Sequence, residues 1–230
     1  MKKYKHIFFD LDRTLWDFES NSVIALEEIY KNRKIENYKV VFDDFVNYYK
    51  EYNHHLWDLY KLGRIKKAYL REERFRGTLK HFGIESEELA EQVSQDYIYL
   101  SPRKTKLFPN SIEVLSELSK RYKLHIITNG FNEVQFVKME NSGLTPFFEQ
   151  VITSEMIGVQ KPNPKVFEYA LNMAKAIVNE SVMIGDDQDS DIIGAQSIGM
   201  DTIFVDYYKE DIVCEPTYHI FALNELKDIL

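Results

Sequence analysis

The sequence predicts an α/β fold, a Rossmann-like, doubly wound parallel sheet with a helical bundle inserted after its first strand. Three observations predict it. First, the runs His6–Phe9, Leu124–Ile127, Ser181–Ile184 and Thr202–Val205 are apolar at nearly every position, and each gives way to polar or acidic residues. Strands of that kind suit a sheet covered on both faces, as parallel sheets are. Second, helical patterns lie between the later runs, and strands alternating with helices build a doubly wound sheet. Third, residues 16–104 break this rhythm. They are rich in Tyr, Glu, Lys and Arg, hold no convincing buried strand, and read as helical throughout. The expected division is residues 1–15 with 105–230 as one domain and 16–104 as a second.

The elements follow in order. His6–Phe9 is the first strand and delivers Asp10-Leu11-Asp12. In extended chain residues i and i+2 point the same way, so Asp10 and Asp12 share a face while Leu11 turns back to the core. Within 16–104, Val23, Leu26 and Tyr30 fall at helical spacing, as do Leu56, Leu59 and Tyr60. Gly83 marks a helix stop, and Ser86 before Glu87-Glu88 marks the next start. A helix begins near Asn110, with Glu113 as its capping partner, and continues through Val114, Leu115 and Leu118. Leu124–Ile127 is the second strand. Pro164 opens a helix through Val166, Phe167, Ala170 and Leu171 toward Ala174. Ser181–Ile184 is the third strand. Gly194–Ile198 ends a further helix stopped by Gly199, and Thr202–Val205 is the last strand.

Composition narrows the function classes. The chain has 230 residues, 44% hydrophobic, with 15 Phe and 15 Tyr, ample for a sizeable core. A formal net charge of −8 argues against a nucleic-acid polymer as partner, because phosphate backbones need a basic surface. The single cysteine, Cys214, excludes an internal disulfide framework and fits a reducing, cytoplasmic setting. Met1-Lys2-Lys3 resembles the charged start of a leader, but Asp10 and Asp12 interrupt the apolar run that would follow. No stretch approaches the roughly 18 uninterrupted apolar residues of a membrane span. Asn179-Glu180-Ser181 matches a glycosylation acceptor by chance in such a setting.

The polar residues after the strands carry the chemistry. Two neighbouring carboxylates raise one another's pKa, and a hard cation such as Mg²⁺ repays that arrangement. Thr128-Asn129-Gly130 follows one strand and Lys161-Pro162-Asn163-Pro164 precedes a helix, while Gly185-Asp186-Asp187-Gln188-Asp189-Ser190-Asp191 follows another strand. The carboxyl ends of parallel strands converge on one crevice, so these groups can meet. If the substrate is a phosphate, each has a role. Asp10 attacks phosphorus, and Asp12 protonates the leaving oxygen and later activates water. Asp10, Asp186 and the backbone carbonyl of Asp12 hold Mg²⁺. Thr128 and the backbone around Asn129 and Gly130 hold phosphoryl oxygens, and Lys161 orients Asp10 and stabilises charge. Asp191 supports the metal from behind its ligands, Asp187 is the weaker candidate for that work, and Asp189 is surface charge. Singly, Thr128 reads as a strand-end threonine, Lys161 as a solvated charge and 186–191 as an acidic helix start. Their joint order, each at the end of an apolar run, points to the functional set.

Asp10-Leu11-Asp12-Arg13-Thr14, Thr128-Asn129-Gly130, Lys161-Pro162 and Gly185-Asp186-Asp187…Asp191 together resemble the haloacid dehalogenase (HAD) superfamily of phosphatases. The resemblance covers residues 1–15 and about 105–230 as catalytic core. It implies that 16–104 is a helical cap and that Thr14 to about Phe18 is the turn on which the cap moves. Ile127-Thr128-Asn129-Gly130-Phe131, Met139–Leu144, Gly158-Val159-Gln160-Lys161-Pro162-Asn163 and Phe167–Leu171 look most like the pyrimidine 5′-nucleotidase branch. The resemblance therefore implies a Mg²⁺-dependent hydrolase of nucleoside monophosphates, with sugar phosphates, phosphoglycolate or phosphomutase chemistry as alternatives and a non-catalytic phospholigand module last. Asp12 favours phosphoryl transfer, since dehalogenases of the superfamily lack it. Arg13 departs from the motif at a variable position and is expected at the surface. The partner is a small phosphorylated metabolite, with no membrane, and the chain is a monomer or homodimer.

The insertion offers two further readings. Residues 61–76 carry Lys61, Arg64, Lys66, Lys67, Arg71, Arg74 and Arg76 against Glu72 and Glu73. A basic rim would attract phosphorylated substrates, but a solvated helix face with paired glutamates accounts for most of these residues. Trp16, Phe18, Trp57 and Tyr60 have the rings to stack on a nucleobase, though aromatics at such positions more often fill a core. His54-His55 is not a metal site, because neighbouring side chains diverge on a helix.

Overall fold

In the computed structural model, which describes residues 4–230, six parallel strands form one sheet. They are β1 (His6–Phe9), β2 (Lys123–Thr128), β3 (Phe148–Thr153), β4 (Ser181–Gly185), β5 (Asp201–Val205) and β6 (Tyr218–Ile220), in the spatial order β3-β2-β1-β4-β5-β6. Met1, Lys2 and Lys3, weighed above as a charged leader start, lie outside the described residues. No helix among the described residues is long and apolar enough to cross a membrane.

The reason for a parallel sheet is visible in how β1 is buried. Its four residues are all buried, and alternate side chains enter two different cores. Ile7 and Phe9 pack with Val114, Leu115, Leu118, Val182 and Ile184. Phe8 packs with Ile127, Val166, Phe167, Ala170 and Met183. Leu11 joins the first of these cores, as the alternation predicts. The four central strands fall where their apolar runs predict. The two edge strands were not foreseen, because they lack such runs. β3 reads Phe-Glu-Gln-Val-Ile-Thr with its first half partly exposed, and β6 has three residues.

The chain divides into two compact units, one from the start of the described chain to Phe18 and from Thr105 to Leu230, the other Glu19–Lys104. The second is built from α1 (Phe18–Asn32) beyond its first residue, with α2 (Phe42–Lys61), α3 (Lys67–His81) and α4 (Glu87–Leu100). Leu26, Ile29, Phe45, Phe75, Leu79 and Val93 form its core. Gly83 sits at φ 74° just past α3, and the Ser86 hydroxyl accepts from the Leu89 N–H at 3.2 Å, so both punctuation signals act as read.

In the first unit, α5 (Ser111–Leu118) and α6 (Asn132–Asn141) are followed by the short α7 (Ser154–Ile157) and by α8 (Pro164–Ala174). The start of α5 differs from the expected capping pair. Asn110 takes a left-handed conformation (φ 66°), its side chain caps nothing, and Glu113 pairs with Lys227 instead. Asn163 does cap α8, accepting from the Lys165 N–H at 3.1 Å.

Candidate active site

Strand register brings the polar loops together. Phe9 lies beside Ile126 on β2 and Ile184 on β4, so the residues that follow, Asp10, Thr128 and Asp186, emerge at one edge of the sheet. The Asp10 N–H donates to the Ile184 carbonyl at 2.9 Å, extending the ladder one residue past β1.

Lys161 is the centre of this edge. It is 2% exposed, and its three N–H donors go to Asp10 Oδ1 at 2.7 Å, Asp191 Oδ1 at 2.5 Å and the Ile127 carbonyl at 2.8 Å. The peptide joining it to Pro162 is cis. Asn129 fixes the loop, since its amide donates to the Lys161 carbonyl at 3.0 Å and accepts from the Lys161 N–H at 2.8 Å. Burial works against the ammonium, but Asp10 and Asp191 outweigh it and hold its pKa above the ordinary lysine value.

Asp10, Asp186 and Asp191 each offer a carboxylate oxygen, all within 4.8 Å of one another, the one such group of acids among the described residues. Asp10 and Asp191 are buried and Asp186 is half-buried. Burial pushes the Asp10 carboxyl up to about 7, with Asp191 and Asp12 adding repulsion against the pull of Lys161. Asp186 is raised by burial and then by Asp10 and Asp191, while the Thr14 hydroxyl, donating at 2.8 Å, and Arg13 act the other way. Asp191 is raised by burial despite Lys161. Three acids face one lysine, so ionising all three would leave more negative charge than Lys161 balances. The donors are all oxygen, so the set fits a hard divalent cation such as Mg²⁺.

The other expected residues have distinct surroundings. Thr128 Oγ accepts from the Gly130 N–H at 3.0 Å and from Gln135 Nε2 at 2.6 Å. With both lone pairs used, its own O–H remains to donate. Asp12 does not join the acidic trio. Its Oδ1 meets Lys138 Nζ at 2.5 Å and its Oδ2 meets Gln135 Nε2 at 2.8 Å. Asp187 accepts from the Asp189 and Ser190 N–H groups and from the Ser190 hydroxyl, capping the π-type turn Gln188–Ile193. Asp189 is exposed.

Two glycines are there for space. A Cβ on Gly130 would stand 2.1 Å from Gln135 Nε2, and one on Gly185 would stand 2.1 Å from Asp191 Oδ2. Arg13, expected at the surface, is half-buried in a left-handed conformation (φ 66°), its guanidinium 5.5 Å from the Phe18 ring centroid. Trp16 is wholly buried under Lys138 Nζ, 4.3 Å from its ring centroid, and fills a core rather than offering a stacking face. In the helical unit, Arg74 is buried over Tyr97, and Arg76 pairs with Glu72, Glu73 and Glu87, so neither adds to a basic rim. His54 faces Asp58, and no group of potential metal ligands forms there among the described residues.

Gln135 and Lys138 were not among the predicted residues. They stand three apart on α6 and are buried with Met139, whereas Phe136 on the same helix is 47% exposed. The signal is this inverted pattern, legible only once the phase of the helix is known.

A parallel sheet with a buried Asp–Lys pair, a second carboxylate two residues on and a three-acid cluster at its carboxyl edge defines a class of α/β hydrolases. The family model for haloacid dehalogenase-like hydrolases matches residues 7–205. The protein YfnB of Bacillus subtilis (strain 168) is 31% identical over 100% of this chain and 97% of its own length. Its crystal structure, bound to magnesium, superposes with a TM-score of 0.90 over 99% of both chains at 30% identity. Pyrimidine 5′-nucleotidase PynA of Streptococcus pneumoniae (strain ATCC BAA-255 / R6) is 31% identical over 99% of this chain and 95% of its own. A glyceraldehyde 3-phosphate phosphatase of Pyrococcus furiosus (strain ATCC 43587 / DSM 3638 / JCM 8422 / Vc1) is 29% identical over 100% of this chain and 93% of its own. The chain belongs to the haloacid dehalogenase-like hydrolase family and is an enzyme.

Proposed function

We propose that this HAD-family phosphatase hydrolyses pyrimidine nucleoside 5′-monophosphates through an aspartyl-phosphate on Asp10. The observation that carries the chemistry is the pairing of Asp10 with Lys161 and the separate pairing of Asp12, two residues on, with Lys138. Asp10 Oδ1 is held by Lys161, which leaves Oδ2 to attack phosphorus. As the P–O bond to the leaving group breaks, its electron pair stays on that oxygen, which takes a proton from Asp12. Asp12 then takes a proton from water as the water oxygen attacks phosphorus and expels the Asp10 carboxylate.

The Thr128 hydroxyl donates to a phosphoryl oxygen, with Asn129 and Gly130 shaping the same loop. Lys161 acts on the substrate through its charge, its three donors being taken by protein acceptors. Mg²⁺ held by Asp10, Asp186 and the Asp12 carbonyl, with Asp191 behind them, would screen the anionic nucleophile from the anionic ester. The helical unit is read as the family's cap domain. The nucleotide substrate rests on the likeness to PynA across nearly the whole chain. A triose phosphate is the second reading, favoured by the likeness to the Pyrococcus enzyme.

Phosphate release with Mg²⁺ across nucleotides, triose phosphates and phosphoglycolate tests this. Preference for UMP, dUMP or dTMP is expected. Preference for a triose phosphate would overturn the nucleotidase assignment while leaving the site roles intact. Turnover should vanish in Asp10→Asn and on adding EDTA, with Mg²⁺ restoring the latter. Normal hydrolysis by Asp10→Asn would overturn the nucleophile.

A further inference from the structure

The buried face of α6 is chemically unusual. Two of its three buried residues are a lysine and a glutamine, 4% and 0% exposed, and a helix buries such groups only against partners. The partner of both is Asp12. Lys138 Nζ reaches one carboxylate oxygen at 2.5 Å and Gln135 Nε2 the other at 2.8 Å. The far side of the ammonium is walled by aromatic rings, the Trp16 centroid at 4.3 Å and the Phe18 centroid at 5.7 Å, an arrangement that favours a cation. Gln135 Nε2 also bonds Thr128 Oγ, so one amide ties the expected acid–base group to the expected phosphate-binding hydroxyl. The glutamine's other end, Oε1, is buried without a partner, so the side chain is held there by its Nε2 contacts alone.

From this geometry we propose that Lys138 is a positioning residue, which with Gln135 fixes Asp12 in the orientation that delivers a proton to the leaving oxygen. The inference rests on the reading of Asp12 given above. Two anchored oxygens fix the plane of the carboxyl group. Each oxygen has a second lone pair beyond the one its anchor uses, so a proton can still be carried there and passed on. The lysine itself touches neither phosphorus nor leaving group. Its contribution should therefore appear only where proton delivery matters.

The dependence on leaving group isolates that contribution, because kcat/KM reports the steps through departure of the first product. A nucleoside 5′-phosphate releases a poor, alkoxide-like leaving group that needs a proton. A 2,4-dinitrophenyl phosphate releases a stable phenolate that does not. Since general acid catalysis contributes about 10²–10⁴-fold, Lys138→Met should lower kcat/KM for the nucleotide by roughly tenfold or more and change the dinitrophenyl ester by less than about threefold. Lys138→Arg, which keeps a cation against the rings, should recover part of the nucleotide rate. Lys138→Gln, which keeps an N–H donor without the charge, serves for the same ratio where the methionine variant does not fold. Asp12→Asn is the control. If it discriminates between the two esters and the lysine variants lower both alike, Lys138 is merely structural and the proposal is overturned. If Asp12→Asn does not discriminate, the assignment of Asp12 itself is wrong, and the proposal falls with it.

Discussion

Replacing Lys161 by methionine keeps a long side chain in the buried space and deletes its charge. In the native chain this ammonium is the counter-charge to Asp10 and Asp191, and a third acid, Asp186, lies in the same cluster. Breaking a buried pair this way costs about 3–5 kcal/mol, a large share of the roughly 5–15 kcal/mol that holds a folded domain. The pH dependence has a definite sign. Burial raises the carboxyls of Asp10 (to about 7), Asp186 and Asp191 above their unfolded values. Such a group contributes stability that is fully present below the unfolded pKa and is lost as pH rises through the folded one. Lys161 draws Asp10 and Asp191 down, so the methionine variant leaves both higher still, and its deficit against wild type should grow from pH 5 to pH 8. Urea unfolding of metal-free protein at the two pH values measures this, with the transitions of the two units separated. Mg²⁺ at a hundredfold excess over its Kd should restore about 2.7 kcal/mol to wild type at pH 8. A deficit that is absent, or equal at both pH values, would refute the counter-charge argument.

Three further outcomes are expected. His125 is wholly buried, bonds His6 at 3.0 Å, and has its pKa lowered to about 4, chiefly by burial and then by His6 and Lys123. Its depressed pKa gives stability that is present above the unfolded value of 6.5 and lost as pH falls toward 4, at most about 3 kcal/mol. His125→Phe should flatten the stability curve across that interval, and an unchanged curve would contradict the assignment. Gly130→Ala drives a methyl group into Gln135, so it should destabilise the fold by about 1–3 kcal/mol and lower kcat/KM, read by urea midpoint and phosphate release together. Gly185→Ala pushes on Asp191 and should raise the Mg²⁺ concentration needed for half-maximal activity, whereas an unchanged Mg²⁺ requirement would separate Asp191 from the metal.

Central strands were legible because a strand covered on both faces must be apolar at nearly every position. Edge strands β3 and β6 escaped because an edge tolerates the polar residues Glu149, Gln150 and His219, of which Glu149 and His219 are exposed. The acidic and basic residues at strand ends were legible because chain order and the convergence of parallel strands together restrict where they meet. What one carboxylate does relative to its neighbour was legible only as a ranking, with Asp187 read as weaker than Asp191. Asp187 sits beside Asp186 in the chain, yet its oxygens are taken by its own turn. Lys138 carries no signal of its own in the sequence. Only the phase of α6, set by Met139 packing into the core while Phe136 points outward, turns it onto Asp12. Trp16 fills a core, the commoner of the two roles read for it, but nothing in the sequence says that a lysine 122 positions later covers it.

The two aspartates of the first loop are separated by their lysines more than by distance along the chain. Lys161 is shared between Asp10 and Asp191 within a cluster of three acids, so the ionised cluster is net negative and suits the divalent cation of the proposed mechanism. Lys138 has Asp12 as its acid partner and aromatic rings on its other side, so that pair is neutral by itself. As the proposed nucleophile, Asp10 must stay ionised while an anionic ester approaches, which requires a counter-charge beyond what one shared lysine supplies. As the proposed proton carrier, Asp12 must instead pass between charged and neutral forms without drawing in a cation held by its neighbour. Exchanging the two environments would fail on charge alone. In the proposed mechanism, a proton carrier placed with Asp186 and Asp191 would compete for the metal, and a nucleophile placed beside Lys138 would have no metal to screen it.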